Sequence, residues 1–145
     1  MRSRSFAARQ VGNVVIYVHT SEPPSDEEWD RVLSFYEGAA STLEPKILVY
    51  TEGSAPNAAQ RARLNGVFGK RRVLLAILTS SALARAAGTA VHWFRPEVRV
   101  FGAREFPKAA MHLGLTPAEA TAIESALNEL KGELQLGAPA PTRER

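Results

Sequence analysis

Residues 47–66 read ILVYTEGSAPNAAQRARLNG, and this stretch decides the fold class. It begins with a short continuous apolar run, Ile47–Tyr50, which is typical of a parallel strand covered on both faces. A turn of small residues follows, and Asn57 then offers its side chain as the N-cap of a helix. The stretch therefore predicts a strand, a turn and a helix of an α/β protein.

The alternation of strands and helices extends in both directions from this unit. Gly12-Asn13 separates two strand-like runs and predicts an N-terminal hairpin. Two later apolar runs, KRRVLLAILTS and VRVFG, predict further strands joined by crossover helices. We therefore expect an α/β fold with a four- to five-stranded mixed sheet, a hairpin followed by parallel strands, and four to five flanking helices. One domain should span residues 1–136, with a disordered tail over 137–145.

The helices carry recognisable start signals and apolar faces. Ser25 and Glu28 form the S-x-x-E pattern of a capping box, and Thr116 to Glu119 begin the last helix, an addition over residues 116–136. Three- and four-residue steps predict the buried face of each helix. For the first helix this face includes Trp29, Val32, Leu33 and Tyr36, and for the third helix it comprises Leu83, Ala87, Val91 and Phe94.

Composition excludes several classes of protein. The 145 residues are 45% apolar and 23% charged, which is ordinary for a soluble globular chain. The absence of cysteine excludes disulfide frameworks, thiolate zinc sites and cysteine nucleophiles. No segment approaches the roughly 18 consecutive apolar residues that a membrane span requires. We expect a cytoplasmic protein without a membrane span.

Charge is distributed unevenly along the chain. Residues 60–110 carry ten Lys and Arg and two Asp and Glu, whereas residues 1–59 carry five and eight. Such asymmetry indicates either a surface for an acidic partner or basic helix faces that are simply solvated. Nucleic acid is not expected, because no helix-turn-helix or zinc pattern occurs. The candidate partner surface comprises Arg61, Arg63, Lys70, Arg71, Arg72 and Trp93.

The sequence offers little catalytic chemistry. It contains no Gly-x-x-x-x-Gly-Lys-Ser/Thr, Gly-x-Gly-x-x-Gly or Gly-x-Ser-x-Gly motif. The three histidines, His19, His92 and His112, lack the i, i+4 histidine partner of a helical metal site. We therefore expect no enzyme, no cofactor and no metal.

The turn after Tyr50 has two readings. Ligands of open α/β sheets bind outside the carboxyl ends of strands, and helix N-termini favour anions. Thr51, Ser54 and Asn57 could thus form an anion or phosphorylation site. Alternatively, Gly53 and its small neighbours only make the bend that any strand-to-helix turn needs.

Three segments carry a resemblance to a known family. KILVYTEGSAPNAAQRARL, RRVLLAILTSSALARAAGTAV and VRVFGAREFPKAAMHLGL resemble successive strand–helix units of the STAS fold of bacterial anti-sigma-factor antagonists, in its divergent SpoIIAA-like branch. The likeness covers roughly residues 6–115. It implies a regulatory or scaffolding module that binds a protein partner. The related Sec14 group implies, as an alternative, a carrier of a small molecule or lipid.

The resemblance also implies a third reading, a phosphorylation-controlled switch at Ser54. The antagonists carry an Asp-Ser-Ser-Gly-like signature there, whereas this chain has TEGSAPNA, without the aspartate and the second serine.

The last helix lies outside the likeness. Its leucines, at heptad-like steps, either cover the domain or mediate self-association as a homo-oligomer. The candidate residues for self-association are Ile123 and the three leucines Leu127, Leu130 and Leu134.

Overall fold

The computed structural model describes residues 5–39, 46–53, 56–69, 73–94 and 97–134. One mixed sheet contains five strands: β1 (Phe6–Val11), β2 (Val14–His19), β3 (Lys46–Thr51), β4 (Leu74–Thr79) and β5 (Val98–Gly102). Their spatial order is β1-β2-β3-β4-β5. The first pair is antiparallel and the other three pairs are parallel. The predicted fold class is confirmed.

The hairpin between β1 and β2 closes at the predicted turn. Val11 pairs with Val14, which leaves Gly12 and Asn13 as the two turn residues. Gly12 has a φ of 60°. Two-residue hairpin turns require such positive φ values, which glycine adopts without a steric penalty.

Within the described ranges five helices cover the sheet: α1 (Asp26–Ala39), α2 (Ala58–Phe68), α3 (Ala82–Phe94), α4 (Phe106–His112) and α5 (Pro117–Glu133). The first three connect neighbouring parallel strands, and right-handed crossovers place them on one face. On this face Trp29 of α1 packs in a cluster with Val15 and Ile47. On the opposite face α4 and α5 pack over Ile16 and Leu48. The result is three layers.

Side-chain caps begin four of the described helices, namely α1 at Ser25, α2 at Asn57, α3 at Ser81 and α5 at Thr116. Ser25 Oγ accepts from Glu28 N at 3.1 Å, and Glu28 Oε1 accepts from Ser25 N at 2.9 Å. Thr116 and Glu119 make the same reciprocal pair at the start of α5. These bonds satisfy amide donors that a helix start otherwise leaves free.

The buried face of α3 differs from the prediction. Leu83 is 76% exposed and Ala87 is also exposed, whereas Ala84 and Gly88 face the sheet. A Cβ placed on Gly88 would lie 2.1 Å from Cγ2 of Val100 in β5. The helix approaches the sheet so closely that only small residues fit between them. The side chains of Val91 and Phe94 lie outside the described part of the chain.

The last helix covers the domain rather than projecting from it. Ile123, Leu127 and Leu130 are 2%, 4% and 2% exposed and belong to the core of their own chain, and Leu134 packs against that core. This arrangement matches the first of the two alternatives for α5. Self-association through α5 stays a prediction, and of its four candidate residues only Leu134 is partly exposed. The predicted tail, 137–145, lies outside the described residues.

None of the helices in the described ranges combines the length and the apolar character needed to cross a membrane.

Candidate functional site

The hydroxyl groups at the carboxyl end of the sheet hold turns in place. The Thr79 hydroxyl donates to the Thr51 carbonyl at 2.8 Å and accepts from Ser81 N at 3.1 Å. Thr51 Oγ1 accepts from Gly53 N at 3.1 Å. Both threonines are buried. The fold therefore places the end of β3 beside the end of β4, and the hydroxyls of both threonines hydrogen-bond within the backbone turns.

The N-terminus of α2 is closed by its own side chains. Asn57 Oδ1 accepts from Gln60 N at 2.8 Å, and Gln60 Oε1 accepts from Asn57 N at 2.9 Å. An anion at this terminus would compete with these bonds for the same amides. Of the predicted anion site, Thr51 and Asn57 are thus occupied by structural bonds, while Ser54 lies outside the described residues.

A charged cluster closes the turn between β5 and α4. Glu105 Oε1 accepts from Gly102 N at 2.6 Å, and Glu105 Oε2 lies 2.8 Å from Lys108 Nζ. These two hydrogen bonds, led by the one from Lys108, lower the pKa of Glu105, and Arg85 of α3 adds to the effect. Glu105 was not predicted as a partner of Gly102. Its position three residues after a strand end was the available signal.

A second polar cluster joins the end of β3 to the last turn of α5. The Tyr50 hydroxyl donates to the Glu52 carboxylate, and Lys131 Nζ lies 4.2 Å from the centre of the Tyr50 ring. Burial, followed by the hydrogen bond to Glu52, raises the pKa of Tyr50. Burial also lowers the pKa of Lys131. A tyrosine with a raised pKa keeps its proton at neutral pH, which makes it a poor base and nucleophile.

Tyr17 and His19 form a buried polar pair on β2. The Tyr17 oxygen lies 3.0 Å from His19 Nε2, and both side chains are almost fully buried. Burial lowers the pKa of His19 to about 4, against the raising influence of Glu28. The imidazole is therefore neutral at pH 7. This pair was not predicted. The available signal was that residues i and i+2 of a strand lie on the same face.

No group of three acidic or histidine side chains among the described residues is arranged to hold a metal ion.

The predicted basic surface is described only in part. Arg61 is exposed and donates to the Pro56 carbonyl at 2.7 Å. Arg63 is exposed and pairs with Asp30 of α1 at 2.7 Å. Three members, Lys70, Arg71 and Arg72, lie outside the described residues, as does the side chain of Trp93.

Two large apolar side chains are strongly exposed within the described ranges. Leu83 in the first turn of α3 is 76% exposed, and Met111 in the last turn of α4 is 82% exposed. Lys108, three residues before Met111, lies on the same side of α4. A depression of about 450 Å³ opens on the outer side of α1, and it is lined by Asp30, Arg31, Ser34 and Phe35.

No protein-family model matches the chain, and neither a curated protein nor a solved structure matches it significantly. The resemblance to the STAS fold therefore stays a prediction.

Proposed function

We propose that the protein is a non-catalytic module that binds another protein in a regulatory or scaffolding role. The observation that carries this proposal is the exposure of Leu83 and Met111, at 76% and 82%. Large apolar side chains of this kind serve as anchors in protein interfaces when a partner removes them from water.

The state of the polar groups supports the same proposal. The buried hydroxyls of Thr51 and Thr79 hold backbone turns, and the Tyr50 hydroxyl donates to the Glu52 carboxylate. His19 is buried against Tyr17. A general base must reach the proton of a substrate, which a histidine enclosed in this way does not do. These four side chains therefore have structural roles, which fits a protein that acts through its surface.

The proposal is tested by affinity capture from extracts of the source cells. The full chain is immobilised as wild type, as Leu83→Glu and as Met111→Glu, and retained proteins are quantified by mass spectrometry. We expect a protein that the wild type retains and that at least one variant retains at least about tenfold less, because a buried glutamate lacks a compensating partner.

A matched control is Ala122→Glu, which adds the same carboxylate to an exposed position of α5. It should retain the partner like the wild type. The proposal fails if no protein is retained above background, or if neither anchor substitution changes what is retained.

A further inference from the structure

The outer side of α4 combines an apolar side chain with basic ones. Met111 is 82% exposed, and Lys108 and Arg104 are exposed beside it in the chain. Lys108 pairs with Glu105, but both side chains are open to solvent. Exposed ion pairs are weak, so Lys108 can exchange this partner for another carboxylate. We call Arg104, Lys108 and Met111 the α4 face.

The outer side of α1 has the complementary character. Glu27, Asp30, Ser34 and Glu37 are exposed and recur at three- and four-residue steps, so they share one side of the helix. This side, the α1 face, borders the depression of about 450 Å³ in which Phe35 contributes apolar surface. The depression, which Arg31 and Asp30 also line, thus has carboxylates beside the Phe35 ring, as Met111 has cations beside it on α4.

Two basic side chains near the α1 face have partners among the described residues. Arg31 lies 5.7 Å from the centre of the Phe6 ring, and Arg63 pairs with Asp30. Over its whole length α1 carries five carboxylates and one basic residue. Carboxylates thus outnumber basic groups on this helix, and such an excess attracts a cationic surface.

The two faces cannot meet within one chain. The core on the α1 side of the sheet contains Trp29 and Val32, and the core on the α4 side contains Phe106 and Ala109. Because the sheet lies between them, contact between the faces requires two molecules. We infer that the protein self-associates head to tail, with Met111 of one copy seated in the Phe35 depression of another copy. This inference rests on the proposed function and names a second copy of the chain as the partner.

The geometry implies a particular kind of assembly. An interface built from two different patches leaves one of each patch open on every dimer, so further copies can add. The charged rims make the association sensitive to salt, because the Debye length falls from about 30 Å at 0.01 M to about 3 Å at 1 M.

Sedimentation velocity of the full chain tests the inference. We expect the weight-average mass to rise with concentration at about 20 mM salt and to rise less at about 500 mM. Met111→Glu removes the knob, and Ser34→Arg fills the depression and adds a cation. Each variant alone should stay monomeric, but an equimolar mixture should give a dimer and nothing larger, because each supplies the face that the other lacks.

Two substitutions on the exposed side of α5 serve as controls. Ala122→Glu and Ser125→Arg match the two variants in chemistry, and both should associate like the wild type. Circular dichroism checks that all four variants fold, as expected for exposed positions.

The inference is overturned if the wild type is monomeric at every concentration, if Ser34→Arg associates normally, or if the mixture forms no dimer. A symmetric α4-to-α4 dimer would show itself by surviving Ser34→Arg. Where the wild type is monomeric but another protein is captured through Leu83 or Met111, the inference falls and the proposed function stands.

Discussion

Gly88 of α3 lies directly against Val100 of β5, so that a Cβ on the glycine would be 2.1 Å from the valine Cγ2. The space between the two residues is too small for a methyl group. It brings the backbone of α3 down onto the sheet and turns Leu83 outward. The exposed anchor of the proposed interface is therefore linked to a packing requirement on the other side of the same helix.

Gly88→Ala should lower the free energy of unfolding by about 1–3 kcal/mol, because overpacking outweighs the roughly 1 kcal/mol that alanine gains in a helix. Urea denaturation measures the difference. Gly66→Ala in α2 is the control, since nothing lies within 4 Å of its added Cβ, and it should stabilise the protein slightly. Combining Gly88→Ala with Val100→Ala should recover part of the loss. Equal effects of the two glycine substitutions would contradict the close approach.

Acid should destabilise the protein through His19. Its pKa in the folded state, about 4, lies below the unperturbed 6.5, so the unfolded state binds the proton more tightly. The contribution of neutral His19 to the free energy of unfolding is therefore fully present above pH 6.5. It is lost as the pH decreases toward 4, and the loss is on the order of 3 kcal/mol at most. The measurement is the free energy of unfolding from pH 7.5 to 4. His19→Gln should show a shallower decline, and an identical pH dependence would remove His19 as the cause.

Gln60 should contribute more to the stability of the fold than its polar character suggests. Its side chain is buried, donates to Pro24 O at 3.2 Å and Asp26 Oδ1 at 3.1 Å, and accepts from Asn57 N. Gln60→Ala leaves these partners unsatisfied, so we expect a loss of about 2–3 kcal/mol in chemical denaturation. Gln10→Ala, at an exposed position, should change stability by less than about 0.5 kcal/mol. A loss that small for Gln60→Ala would show that water replaces its bonds.

Leu130→Ala distinguishes between the two roles considered for α5, which are covering its own domain and mediating self-association. Because Leu130 is 2% exposed in the core, its truncation should cost about 2–5 kcal/mol. Leu134→Ala should cost less, since Leu134 is only partly buried. Denaturation curves give both values, and sedimentation gives the mass of each folded variant. A lower mass of the Leu130 variant at unchanged stability would instead indicate an intermolecular role.

Local chemistry explains which predictions succeeded. Helix starts depend on groups three residues apart, as in Ser25 with Glu28 and Thr116 with Glu119, so a short sequence window contains both partners. The hairpin likewise depends on one glycine at the turn. The candidate site was predicted less well. Thr51 was predicted as part of a site at this edge of the sheet, but the bond that its carbonyl accepts from Thr79 joins two neighbouring strands, which no short sequence window contains.

The sequence by itself determined the order and the type of the elements, because caps, turns and apolar periodicity act over a few residues. Only the tertiary structure decided which side of a helix faces the sheet. Periodicity marks an apolar stripe on α3 and another on α5, but it does not say what covers them. Val100 leaves room only for a residue as small as Gly88, and Leu83 of the same helix lies in solvent. On the other side of the sheet, Leu127 of α5 packs into the core. Burial depends on the shape of the opposing surface, and distant parts of the chain supply that surface.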